Sequence, residues 1–171
     1  MQIREEKAER HTLAVIVDNE PGILARIAGL FTARGYNIES LTVSEITLDK
    51  AVSRITIVTS ASPATLEQIV AQLERLVPVH QVTDLTARGA HVERELALVK
   101  VAGSGDHRIE ALRLAEVYRA RVVDATIASF VFEVTGTIEK IDKFVELMGE
   151  VGLVEVARTG IVAIARGAEA A

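Results

Sequence analysis

Thr12-Leu13-Ala14-Val15-Ile16-Val17-Asp18-Asn19-Glu20-Pro21-Gly22-Ile23-Leu24-Ala25-Arg26 is the stretch from which the fold can be read. Its first six residues form a short apolar run rich in β-branched side chains, the pattern of a strand covered on both faces. Asp18-Asn19-Glu20-Pro21-Gly22 ends that run. Pro21 suits the first turn of a helix, where its missing N–H takes nothing away, and the polar side chains just before it suit capping. Ile23, Leu24, Ile27, Leu30 and Phe31 then recur at helical spacing, with Arg26 and Arg34 off that stripe and Gly35 placed to end it. A helix is expected over about 21–34.

Working outward, Tyr36–Thr47 reads as a strand, Asp49-Lys50 as a turn and Ala51–Thr59 as the returning strand of a hairpin. Ser62-Pro63 repeats the cap-then-proline start, and Leu66, Ile69, Val70, Leu73 and Val77 mark the buried face of a helix that stops before Pro78. Val79–Thr86 closes the unit. The order β-α-β-β-α-β packs two helices on one face of a four-stranded antiparallel sheet. After Ala87-Arg88-Gly89-Ala90 the order begins again. Glu95–Val101 is a strand, Gly103-Ser104-Gly105 a turn, 106–119 a helix, and 122–126 with 129–135 a hairpin. A helix at 137–148, with Ile141, Phe144, Val145 and Met148 inward, and a last strand at 154–164 complete it. The expected class is α+β, two tandem ferredoxin-like βαββαβ domains. The boundaries are a charged leader at 1–10, a first domain at 11–87, a linker at 88–90, a second domain at 91–167 and a tail at 168–171.

Composition narrows the function. The chain has 171 residues, a net charge of −5 and no run of Lys or Arg, so it lacks the basic surface that nucleic-acid binding requires. No stretch approaches the roughly 20 apolar residues of a membrane-spanning helix. The charged start Met1-Gln2-Ile3-Arg4-Glu5-Glu6-Lys7 stands where a signal peptide would be apolar, so a cytoplasmic location is expected. Zero cysteines exclude disulfides, Cys-ligated metals and thiol catalysis, and a copper-chaperone reading of the same topology goes with them. RNA binding on the sheet face would need aromatics, which Ala51-Val52-Ser53-Arg54-Ile55-Thr56-Ile57 lacks.

His11, His80, His91 and His107 show no i,i+3 or i,i+4 spacing, so no metal site is expected. The carboxylates read as solvated surface, and no Gly-x-Ser-x-Gly nucleophile turn is present, so no catalytic residue is assigned. Gly103-Ser104-Gly105-Asp106 lacks the Lys and Ser/Thr of a phosphate loop and reads as a plain turn. The loop Asp18–Leu24 is different. It joins a buried strand to a helix N-terminus, whose free N–H groups and dipole favour a carboxylate. Gly22 lets a ligand approach the backbone, and Asn19 can both donate and accept, as a zwitterion requires. Asn37, beside Ile38, stands at the start of the second strand and is expected near this loop. Two readings fit these residues alone, a receptor for a small zwitterion or an ordinary helix cap and turn, and composition does not choose between them.

A resemblance does. Asp18-Asn19-Glu20-Pro21-Gly22-Ile23-Leu24-Ala25-Arg26 resembles the ligand loop of ACT domains, which share the β-α-β-β-α-β order. Arg34-Gly35-Tyr36-Asn37-Ile38-Glu39-Ser40-Leu41-Thr42-Val43, Gly89-Ala90-His91-Val92-Glu93-Arg94-Glu95-Leu96 and Val154-Glu155-Val156-Ala157-Arg158-Thr159-Gly160 are similar to the small, regulatory subunit of acetolactate synthase, also called acetohydroxyacid synthase. The likeness covers about residues 10–167.

It implies an N-terminal ACT domain, a C-terminal ACT-like domain and no catalysis in this chain. It also implies a large-subunit partner that holds thiamine diphosphate, magnesium and FAD. Such a chain activates its partner and confers feedback inhibition by valine in branched-chain amino-acid biosynthesis. The resemblance further implies a homodimer through the ACT domains, with the effector at Asn19, Gly22, Ile23, Leu24, Asn37 and Ile38. Gly103-Ser104-Gly105 replaces the ACT loop pattern in the second half, which is expected to serve dimerisation or docking instead. A freestanding ACT sensor acting on another enzyme or on a repressor would share the loop but not the second-half motifs. Valine, leucine and isoleucine stay undivided, because one methylene is worth only about 1–3 kcal/mol in an apolar pocket.

Overall fold

A computed structural model describes residues 7–170; the first six residues of the leader, and Ala171, lie outside the described residues. The chain divides into two compact units. The first runs to Val92 and takes in the chain again from Ile161, and the second is Glu93–Gly160.

The first unit is built from β1 (Glu9–Asp18), α1 (Ile23–Ala33), β2 (Ser40–Glu45), β3 (Val52–Ala61), α2 (Pro63–Glu74), β4 (Val79–Asp84) and the short α3 (Leu85–Arg88). Its antiparallel sheet has the order β2-β3-β1-β4. Period-two alternation puts Leu13, Val15 and Val17 on one face, where they join Ile55 and Ile57 from β3. Against that face pack Ile23, Ile27 and Phe31 of α1 and Leu66, Ile69 and Leu73 of α2, giving one core, aliphatic but for Phe31 and the half-buried Tyr36. Helix ends follow local chemistry. Ser62 Oγ accepts from the Thr65 N–H at 3.3 Å, with Pro63 opening α2. α1 closes in a Schellman motif: Tyr36 N–H donates to Phe31 O, Gly35 N–H donates to Thr32 O, and Gly35 takes a φ of +69°.

The second unit repeats the plan with β5 (His91–Ala102), α4 (Asp106–Val117), β6 (Arg121–Ala125), β7 (Ser129–Gly136), α5 (Ile138–Gly149) and β8 (Leu153–Arg158), in the order β6-β7-β5-β8. The two strand-and-helix patterns bear out the βαββαβ reading of both halves. Here the core is partly aromatic, with Phe132 edge-on to Phe144 at 6.3 Å between centroids and Tyr118 at 5.4 Å from the same ring. α4 ends in the same Schellman pattern, Ala120 N–H to Ala115 O and Arg119 N–H to Glu116 O, but places an arginine at φ +55° where glycine is preferred. An exposed Arg119→Gly is therefore expected to stabilise the chain by about 0.5–1 kcal/mol, read as a rise in the urea midpoint.

Three sequence expectations change. Val77 is 93% exposed instead of buried, because α2 stops at Glu74 and leaves it in the connection before Pro78. Residues 85–88, expected as strand end and linker, coil into α3, capped by Asp84 Oδ1 accepting from Ala87 N–H at 3.1 Å and anchored by buried Leu85. The last strand, expected unbroken over 154–164, is two. β8 ends at Arg158, Gly160 turns at φ +82°, and β9 (Val162–Ala165) follows, pairing with β5, whose first two residues lie in the first unit. The chain from Ile161 onward thus belongs with the first unit, whereas the sequence boundary carried the second domain to 167. β1 begins at Glu9, inside the stretch assigned to the leader.

Candidate ligand-binding site

The β1–α1 loop ends at Gly22, which holds a left-handed φ of +86°, and no side chain caps the helix that follows. α2, α3 and α5, by contrast, are capped by Ser62, Asp84 and Thr137. Helix α1 so keeps first-turn N–H groups and the positive end of its dipole open to a small anion. A Cβ built on Gly22 would meet no atom within 4 Å, so there is open space above the turn. Leu24 is 42% exposed beside it, whereas Ile23 points into the core and its N–H donates to Glu20 O at 3.4 Å.

Asn19 does not cap the helix. Its side-chain NH2 donates to Lys50 O at 2.9 Å and to Glu45 Oε1 at 3.2 Å, and its backbone N–H donates to Ala51 O at 2.8 Å. Both side-chain partners are acceptors, so the amide orientation is set by the network. Both donors being spent on the β2–β3 hairpin, Asn19 can offer a ligand only its Oδ1, an acceptor suited to an ammonium group. Glu45 and Lys50, which sequence reasoning did not single out, stand 3.7 Å apart at the same corner. Hairpin ends carry no periodic signal, and only the register of β2 on β3 brings these two to Asn19. Asp49 in that hairpin has its pKa lowered by its hydrogen bond with Thr47 and by the Ala51 N–H. On the other side of the loop, Asp18 meets His80 Nε2 at 2.6 Å.

Asn37 is elsewhere. Its carbonyl accepts from Thr59 Oγ1 at 2.6 Å, whereas Asn19 is level with Ala51. Eight strand residues of β3 separate the two levels, which at ~3.3 Å per residue is about 26 Å. The expectation that Asn37 lies near the first loop therefore fails within one chain. The reason is α1 itself, which carries the chain back along the sheet before β2 begins. Ile38 packs half-buried on the first core at that far end. In the second unit, Gly105 also precedes an uncapped helix, at φ +58° and ψ −132°. A Cβ on Gly105 would likewise meet no atom within 4 Å, whereas one on Gly103 would sit in ordinary contact with His107 Cβ and Val151 O at 3.4 Å. Among the described residues no three His, Asp or Glu side chains are grouped to hold a metal, and no helix is long and apolar enough to cross a membrane.

Two antiparallel βαββαβ sheets, the first with an open helix start after β1, define a tandem ferredoxin-like protein with a candidate small-anion site. Comparison with known proteins narrows this. Residues 13–81 match the family described as the AHAS small subunit-like ACT domain, and residues 94–167 match the small subunit of acetolactate synthase. A probable acetolactate synthase small subunit from Archaeoglobus fulgidus is 46% identical over 158 residues, covering 92% of this chain and 98% of its own. The isozyme 3 small subunit of Escherichia coli is 46% identical over 159 residues, covering 92% and 96%. The crystal structure of the acetolactate synthase small subunit from Thermotoga maritima superposes with a TM-score of 0.84 at 36% identity, covering 94% of this chain and 99% of that one. The chain belongs to the family of acetolactate synthase small subunits.

Proposed function

We propose that this chain is the non-catalytic regulatory subunit of acetolactate synthase, raising the activity of a large subunit and making it sensitive to valine. In this reading thiamine diphosphate, magnesium and FAD reside in the large subunit, and this chain contributes binding energy alone. The observation that carries the effector site is the uncapped start of α1 at Gly22, next to an Asn19 whose only spare polar atom is an acceptor. Valine's carboxylate would take the helix N–H groups, its ammonium would face Asn19 Oδ1, and its isopropyl group would contact Leu24 and Ile38.

Those six residues can meet only across two copies, since Asn37 and Ile38 lie at the far end of the sheet. β2 stands at the end of the sheet order, and Val43 on it is 42% exposed. Two copies joined through β2 about a twofold axis would run those strands antiparallel, bringing the loop end of one sheet to the Asn37 end of the other. Burying the valine side chain contributes roughly 1.5–3 kcal/mol and each charge-assisted hydrogen bond about 1.5–3 kcal/mol before ordering costs. Micromolar to millimolar affinity follows. Inhibition further requires that valine prefer one arrangement of the pair, since equal affinity for two states shifts neither.

The test is calorimetric titration with valine, isoleucine, leucine and serine, with and without the large subunit, alongside its activity. The expected result is activation on adding this chain, reversed by valine and not by serine. An unchanged large-subunit activity would contradict the reading.

A further inference from the structure

The outer face of the first sheet, opposite α1 and α2, is met by the short α3 only at Leu85, yet Thr12, Ala14, Thr56 and Val58 on it are buried. A strap from the chain's own end lies over part of it. Ile161 and Ala163 are buried while Val162 and Ile164 are exposed, the alternation of a strand lying flat, and Ala14 packs with Leu85, Ala163 and Ala165. The strap is gripped by its main chain. Ser40 Oγ accepts from the Ile161 N–H at 2.9 Å, Thr42 Oγ1 donates to Ile161 O at 3.1 Å, and Arg54 Nη2 donates to Ala163 O at 2.8 Å. Ser40, Thr42 and Arg54 share the outer face by register.

Ile161 is thus held at both its N–H and its C=O by two side chains of a single strand. The placement of that strand gives the grip meaning. Ser40 and Thr42 stand on β2 a few residues after Asn37 and Ile38, and Ile161 is the residue directly after Gly160, where the chain leaves the second unit. A displacement of β2 would reach Gly160, the last residue of the second unit, through one hydrogen-bonded clasp and one peptide bond, and β8 ends two residues before it at Arg158.

We propose that the Ser40–Thr42–Ile161 clasp passes the effector's occupancy of the first unit to the second unit. The inference rests on the reading of the first unit as an effector sensor, and adds the route by which the second unit responds. An effector that favours the fastened clasp over a released one biases the other unit with no ligand contact there.

The test uses the full chain with its large subunit and the near-isosteric double variant Ser40→Ala with Thr42→Val. The valine concentration for half-inhibition is expected to rise by about tenfold or more, a coupling of ordinary size. Activation, and the chain's own calorimetric affinity for valine, should stay within about threefold. Unchanged inhibition, or affinity and inhibition falling in parallel, would overturn the proposal. Should the double variant fold poorly, hydrogen exchange on the native chain decides: valine is expected to change protection of the Ile161 amide, and no change there, with the loop around Gly22 responding, overturns the clasp alone. A native chain in which neither segment responds removes the effector reading, and the clasp with it.

Discussion

Replacing Arg158 by Met is expected to lower the stability of the second unit by about 3–5 kcal/mol, the usual cost of stranding a buried charge. Glu95 is 5% exposed, and both its carboxylate oxygens are held by one guanidinium, Nε to Oε1 at 2.9 Å and Nη2 to Oε2 at 2.6 Å. Arg158 also reaches Asp142 at 2.7 Å, so it closes β5, β8 and α5 together. The Glu95 bond is the first cause of Arg158 being held well above its ordinary pKa, and the arginine stays charged throughout any accessible pH range. Removing the arginine leaves a carboxylate that water cannot reach. Thermal unfolding by circular dichroism should show a transition lowered by roughly 12 °C or more.

The two partners are not equivalent. The Arg158 side chain is 33% exposed and can hydrate when left alone, so Glu95→Gln should be milder than Arg158→Met. Replacing both, Glu95→Leu with Arg158→Met, should recover most of the loss, because a well-packed apolar pair substitutes for a buried ion pair at little cost. A single Arg158→Met loss below about 1 kcal/mol would show that the pair is solvated after all.

Gly22→Asp is expected to raise the valine concentration for half-inhibition by about 100-fold or more, through loss of one or two charge-assisted hydrogen bonds and repulsion of the effector carboxylate. Activation of the large subunit should survive. The open space above Gly22 means that the new Cβ clashes with nothing, and Asp tolerates the left-handed backbone better than most residues. Gly22→Ala separates the causes, since it carries the same φ strain without the charge. If Ala and Asp desensitise equally, backbone strain and not electrostatics governs the loop.

The strands and helices legible in the sequence are those whose apolar period is long and whose ends carry side-chain chemistry. β1 and α2 are read from Leu13-Ala14-Val15-Ile16-Val17 and from Ser62-Pro63 with Leu66, Ile69 and Leu73, because propensity, capping and burial agree there. α3 escapes, since four residues carry no period and its stability comes from Asp84 and from Leu85 seated on the first sheet. β9 escapes for a different reason. Val162 and Ile164 look like a continuation of β8, and what redirects them is a turn at Gly160 followed by Ser40, Thr42 and Arg54, more than a hundred residues away in sequence.

The candidate site is legible in the same partial sense. Gly22 and Asn19 are marked by their place between a strand and a helix, but the use Asn19 makes of its amide depends on the hairpin register. The separation of Asn37 from Asn19 follows from the direction of α1, which local sequence does not reveal.

Mixing the Gly22→Asp chain with the Asn37→His chain tests the shared site most directly. Each variant alone is expected to bind no valine. A mixed pair would put both defects into one site and leave the other intact, so calorimetry on the re-equilibrated mixture should recover binding, at about one site per mixed pair. A mixture as inert as its parents, although mixed pairs have formed, would place the loop and Asn37 in sites confined to single chains and contradict the account.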